Sequence, residues 1–477
     1  GTMLGQRTAL WGLGASSRRG LTIPDALFDR ARSRGDTGSS ALAIDLPLYA
    51  NEALHNVAIG SNAAFAVTSL GRVLAFGANQ HGLLGVSLEG GETKGAGVEV
   101  EGVGICVQVV TGLEHSLALN SEGQVFAWGS SVSGRLGIEA LGLPCRAGHL
   151  PFTRVPERIE GLGSKRIVSV ACGELHSLAL SKNGEVFAWG SASMGRLGIG
   201  RDELLLPTAE TSQPMLVTRL LGSHIVQVVC SKVNSGALSS QGDVYTWGAT
   251  CYGLASCPSN SSAQTEPAML PTPQGPRISV IAMGKLHALA LTESGSVFSW
   301  GWAGDGALGL GPATDGGNLC RAVAAPTQLT ALAAHPCRQI ACGDSSSFAV
   351  AMHGNLILWG TLPLSLSSLC PMCPAGSGGV AGGVEGGENT TMVLWPAFLK
   401  VQPPGYMSLP TMGYATRTLL MVVTLPPVIT NMKEQENTRA NLQVQQQKYE
   451  DSRCKRKAGS GVEYEADDWD RRMRSVL

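Results

Sequence analysis

A Trp-Gly pair recurs through this chain in fixed phase with two further glycines, and nothing else in the sequence restricts the fold as strongly. The pair stands at Trp11-Gly12, Trp128-Gly129, Trp189-Gly190, Trp247-Gly248, Trp300-Gly301 and Trp359-Gly360, with Phe76-Gly77 in the remaining slot. Six of the 9 tryptophans fall in this one motif, so chance does not explain it. A turn glycine (Gly71, Gly123, Gly184, Gly242, Gly295, Gly354) lies 6 residues before the glycine of the pair in every complete repeat. An anchor (Gly60, Gly112, Gly173, Ser231, Gly284, Gly343) lies 11 residues before that. A spacing kept without insertion six times over marks a fixed structural unit.

The unit reads as a β-hairpin. In Val170–Leu180 the second half is a short apolar strand, Ser181-Lys182-Asn183-Gly184 is a turn, and Val186-Phe187-Ala188-Trp189 returns. Asn-Gly is a strong hairpin-turn signal because both residues tolerate positive φ. The strands are apolar at consecutive positions, which predicts burial on both faces, as in sheets stacked around a ring. The last anchor, Gly413, has no Trp-Gly after it, and Trp11-Gly12 has no anchor before it. The chain ends are therefore expected to complete one blade together, which removes open sheet edges. The expectation is an all-β fold: a single seven-bladed propeller over residues 3–430, with Met3 read as the native start after Gly1 and Thr2.

Two segments depart from this plan. Residues 361–400 are rich in Ser, Pro and Gly and are expected to form a mobile insertion loop. Residues 431–477 hold 10 Lys/Arg and 9 Asp/Glu. That density suits a solvated charged tail, partly helical or disordered, and no blade. Its Arg453-Cys454-Lys455-Arg456-Lys457 run is more simply a solvated basic cluster than a nuclear-import patch.

Composition excludes several function classes. The formal net charge is −1, which leaves no general footprint for nucleic-acid or nucleosome binding. The 12 cysteines are scattered singly, several inside apolar runs, which fits reduced thiols in an intracellular protein. No apolar stretch reaches the roughly 18 residues of a membrane span, and no secretory signal is visible. His115, His176 and His287 recur at one phase in different repeats, so they are expected to lie apart and to bond nearby backbone instead of converging on a metal. Cys370-Pro371-Met372-Cys373 is half a zinc site with no second pair of matching spacing. Asn260 and Asn389 match the glycosylation acceptor, which an intracellular protein does not use. No phosphate loop or nucleophile elbow is present. No cofactor, metal or catalytic residue is expected, and the ring is expected to be monomeric.

Val170-Ala171-Cys172-Gly173-Glu174-Leu175-His176-Ser177-Leu178-Ala179-Leu180, followed by Val-Phe-Ala-Trp-Gly, resembles the RCC1 repeat of the regulator-of-chromosome-condensation propellers, over roughly residues 8–425. The resemblance implies that residues between the anchor and the repeat histidine face one rim and meet partners. Those positions carry Asn62, Glu114, Glu174, Lys232, Lys285, Asp344 and Tyr414. The ultraviolet-sensing branch of the family needs Trp and Arg there; none is present. The resemblance implies a non-catalytic protein-interaction scaffold. One alternative is a guanine-nucleotide exchange factor for a Ran-like small GTPase, with loops 139–155 and 199–214 as candidate wedges. A second is a mitochondrial factor associated with ribosome assembly, suggested by the six arginines of residues 3–34. The compartment is expected to be nuclear, cytoplasmic or mitochondrial.

Overall fold

His176–Ser181 is buried at all six positions, and so is its partner strand Val186–Ser191, because each lies in the middle of a sheet covered on both faces. The outer strand of the same sheet, Glu210–Leu216, is half-buried or exposed throughout, and most of its residues turn polar accordingly. These features come from a computed structural model, which describes residues 10–13, 41–44, 52, 54–60, 63–87, 97–139, 151–200, 210–255, 262–271, 277–304, 306–311, 322–363, 390–398, 406–408 and 420–425.

The strands form antiparallel sheets of four. Six are blades cut from one continuous stretch each: blade one is 54–100, blade two 106–158, blade three 167–216, blade four 225–269, blade five 278–328 and blade six 337–398. In each, the first strand is innermost and the fourth outermost. Successive inner strands pack on one another, and Leu420–Leu425 packs against the inner strand of blade one, Leu54–Ile59. Large side chains fill the spaces between blades, with Trp128, Trp189, Trp247, Trp300 and Trp359 fully buried.

The hairpin turn falls where expected, between His176–Ser181 and Val186–Ser191. Gly184 has φ +80°, but Asn183 is not among the residues with positive φ. Ser181 and Glu185 close the turn (N to O, 2.8 Å), so three residues span it and only the third is left-handed. Gly190, of the Trp-Gly pair, has φ +108°, and a Cβ there would strike the Leu175 carbonyl and His176. The pair is thus Trp for filling a seam and Gly for a close crossing of strands.

The chain ends supply one further sheet, for which backbone pairing alone is described. Its order is Ala41–Ile44, Leu10–Leu13, Leu420–Leu425, Tyr406–Ser408. The ends do pair, but the expectation of seven alike blades needs correction. In blade three the residue opposite the pair's glycine, His176 opposite Gly190, lies three after the anchor. Gly413 as anchor would place Thr416 opposite Gly12, whereas Met421 occupies that position. Six blades follow the repeat and the chain-end sheet has its own register; Gly413 lies outside the described residues.

The 361–400 loop is also corrected at both ends. Leu356–Pro363 runs past the Trp-Gly pair and ladders with Thr390–Phe398, the outer strand of blade six. Thr390-Thr391-Met392-Val393-Leu394-Trp395 is a β-branched and apolar run that suits a strand. The intervening 364–389, with Cys370 and Cys373, lies outside the described residues, as do Asn260 and Asn389. The chain divides into compact units at 1–426 and 427–477, and the second unit is wholly outside them.

Candidate functional site: the rim of the inner turns

The turns joining first to second strands rise on one rim and are tied from blade to blade. Glu174 N–H bonds the Lys232 carbonyl (3.4 Å), and Lys285 N–H the Asp344 carbonyl (3.3 Å). Five of the seven expected rim residues are described: Glu114, Glu174, Lys232, Lys285 and Asp344. Asn62 and Tyr414 lie outside the described residues.

Their side chains are not independent. Lys232 Nζ stands 3.3 Å from Glu174 Oε2 across one seam. Glu114 meets Arg135 Nη1 at 3.3 Å and His81 Nδ1 at 3.8 Å. Arg135 is the residue that sequence reasoning missed. It belongs to Gly134-Arg135-Leu136-Gly137, is only 2% exposed, and donates Nε to the Val132 carbonyl at 2.7 Å. Burial lowers its pKa, and the carboxylates of Glu114 and Glu174 oppose that shift. The rim therefore carries both signs of charge, with a buried guanidinium beneath Glu114.

Beneath the rim, the repeat histidines are occupied. His115 Nε2 lies 2.9 Å from Ser177 Oγ, His176 Nε2 2.9 Å from Ser235 Oγ, and His287 Nε2 2.9 Å from Ser347 Oγ. Each partner is a hydroxyl of the next blade, not the local backbone expected. Ser177 gives its one proton to the Arg135 carbonyl at 2.9 Å, so His115 donates from Nε2 and is the Nε2–H tautomer. Trp189 Nε1 donates to the same carbonyl at 3.0 Å. Burial holds His115 and His176 well below the usual imidazole pKa, and the nearby cations Arg135 and Arg196 add to this. The Ser that recurs just after the repeat-histidine position, at Ser116, Ser177, Ser235 and Ser347, was the available signal for this latch.

The inner strands enclose a channel of about 340 Å³ lined mainly by Val, Ile and Ala, with Cys172, Cys230 and Cys342. Its glutamines bind backbone: Gln108 pairs with both N–H and C=O of Val170, and Gln227 with those of Ile281. Burial raises the pKa of the Cys172, Cys230 and Cys342 thiols, so none is a ready thiolate. All six cysteines among the described residues are free. No group of three or more His, Cys, Asp or Glu side chains placed to hold a metal occurs among the described residues. Nor is any helix there long and apolar enough to cross a membrane.

Comparison with known proteins agrees with the repeat phase. The family profile described as Regulator of chromosome condensation (RCC1) repeat matches residues 122–180, 183–238 and 294–350, and a second profile of that description matches 106–135, 167–196 and 278–307. The Ultraviolet-B receptor UVR8 of Arabidopsis thaliana is 32% identical over 290 residues, 59% of this chain and 61% of the receptor. The mitochondrial RCC1 domain-containing protein RUG3 of the same plant is 34% identical over 250 residues, 52% of each chain. The chain thus spans about three fifths or less of the length of these relatives. Among solved structures, human WBSCR16 aligns with TM-score 0.66 at 20% identity, covering 89% of this chain and 100% of that one. Prp20p of Saccharomyces cerevisiae aligns with TM-score 0.63 at 20% identity, covering 92% and 95%. With its hairpins and profile matches in one phase, the chain carries RCC1 repeats, folded as blades like those of the RCC1-type β-propellers.

Proposed function

We propose that this protein is a non-catalytic interaction scaffold whose rim of inner turns docks protein partners. The observation that carries this reading is the contrast between rim and interior. At three seams the repeat histidines, serines and tryptophans are buried and bonded between blades, while Glu114, Glu174, Lys232, Lys285 and Asp344 present both signs of charge around the rim. Such a surface selects partners by electrostatic complementarity, with no bond chemistry. We take the chain-end sheet as the seventh blade closing the ring, residues 3–430 as the propeller, and 431–477 as a charged appendage. The compartment we propose is intracellular.

Affinity capture from cell extract tests the reading. E174K/K285E reverses two rim charges, and K182E, on a hairpin turn of the opposite face, is the control. The rim variant should lose specific partners that wild type and K182E retain; identical capture by all three would end the proposal.

A second reading is favoured by the likeness to Prp20p, whose structure is described with its binding properties to Gsp1p and histones. In it the rim displaces nucleotide from a Ran-like small GTPase. Nucleotide release from such a GTPase, unchanged at micromolar propeller, would eliminate it. The likeness to mitochondrial RUG3 supports a third, organellar role; localisation of tagged protein discriminates it.

A further inference from the structure

Three seams between blades share one latch. The histidine of one blade bonds a serine of the next, that serine donates to the carbonyl of the second residue of the Gly-x-Leu-Gly motif, and the next blade's tryptophan donates to the same carbonyl. Between blades two and three these are His115, Ser177, Arg135 and Trp189; between three and four, His176, Ser235, Arg196 and Trp247; between five and six, His287, Ser347, Ala307 and Trp359.

The seam between blades four and five lacks every part. Asn234 replaces the histidine and turns back on its own blade, donating to the Ala249 carbonyl at 2.6 Å. Ala288 replaces the serine, and the motif reads Gly253-Leu254-Ala255-Ser256. Trp300 is fully buried, yet its indole N–H has no partner, and neither has Asn234 Oδ1. The packing has changed too. Gly236 stands where the other blades carry Leu117, Leu178, Leu289 or Phe348, and the flexible Met283 lies over it. The second strand of blade four (Asn234–Ser239) meets the inner strand of blade five (Ile278–Met283) more sparsely than the equivalent pairs do at the other described seams. Gln227 does bond Ile281 across this seam, at 2.8 and 2.9 Å. Blades two and three have the matching Gln108 bridge and the latch as well.

We propose that the seam between blades four and five is the point at which the blades part, with the Gln227 bridge as its hinge-side tie. Lys232 and Lys285 stand on the rim at either side of this seam, so parting changes the spacing of two rim charges.

The test is solvent exchange of the tryptophan indole N–H groups, followed by NMR on the full chain, with W300F assigning the Trp300 signal. A fully buried N–H exchanges only when water reaches it. Trp300 should exchange roughly tenfold or more faster than Trp189, Trp247 and Trp359, the factor expected from one or two missing hydrogen bonds. N234H/A288S, which rebuilds the latch, should slow it toward the others, and Q227A should quicken it further while Q108A leaves it unchanged. Trp300 exchange as slow as the other three would overturn the proposal. So would a rate that neither N234H/A288S nor Q227A moves. If Q227A fails to fold, the wild-type and N234H/A288S rates decide alone.

Discussion

Replacing Ser177 by Ala isolates the energetics of the latch. Its hydroxyl accepts from His115 Nε2 and donates to the Arg135 carbonyl, and all three groups are buried. Alanine fits the strand and creates almost no cavity. The Arg135 carbonyl keeps Trp189 as donor, so it loses one of two bonds. His115 fares worse: its Nδ1 already has no partner, and Nε2–H would lose its only acceptor. A lost neutral bond costs about 1 kcal/mol, and an orphaned buried donor about 1–3 kcal/mol, so S177A should destabilise by about 2–4 kcal/mol. The assay is urea unfolding followed by tryptophan emission, with the loss read from the midpoint at unchanged slope. S235A and S347A, in the equivalent seams, should behave alike. A loss under about 0.5 kcal/mol, the level of an ordinary surface change, would refute the claim that the His-Ser bond holds blades together.

Three further outcomes follow from the same contacts. W189F removes an indole donor from a buried carbonyl and should cost about 1 kcal/mol more than W300F, whose indole has no acceptor to lose; paired urea midpoints check this. His115 and His176 are held neutral in the fold while their unfolded counterparts protonate near 6.5, so the folded state binds fewer protons and stability falls as pH drops below that value. By pH 5.5 the two together should cost about 3 kcal/mol relative to pH 7.5, and H176N should remove about half of that slope. Deleting residues 3–14 takes out the strand between Leu420–Leu425 and Ala41–Ile44 and should lower the melting temperature; a truncated chain melting as the full chain does would contradict closure by the ends.

Much of the fold was legible because its determinants are local. Gly184 and the Trp189-Gly190 pair sit at fixed spacing within one hairpin, and double-sided burial leaves consecutive apolar residues such as Val186-Phe187-Ala188. What escaped lies between blades. That His115 bonds Ser177 depends on how two hairpins about sixty residues apart stack, and spacing within a hairpin carries no such information. The turn, being local, was readable from Asn183-Gly184, and the Ser181 to Glu185 closure leaves only the glycine left-handed. At the chain ends, Gly413 suggested a register that Met421 opposite Gly12 replaces. The charges of the proposed rim residues were readable, and their pairing was not. Arg135, from a different turn, stands beside Glu114 and within reach of Glu174's field, which spacing alone does not show.

The contrast between rim and seam separates residues that can vary cheaply from residues that cannot. A blade of this length buries only one face against each neighbour, so the ring depends on contacts repeated at every seam. Those contacts use the residue types that could otherwise do chemistry: imidazole, hydroxyl and indole. Each is desolvated and bonded, and His115 and His176 are shifted toward the neutral form. The inner turns stand on this frame but add little to it. Their salt bridges are partly exposed, like that of Lys232 and Glu174, and such pairs contribute about 0–1 kcal/mol. Rim residues can therefore change from Glu174 to Lys285 to Asp344 around the ring at small energetic cost, while Ser177 or Trp189 cannot. Where the frame itself varies, at Asn234, Gly236 and Ala288 together, the change falls on one seam, and the other described seams keep most of their latch.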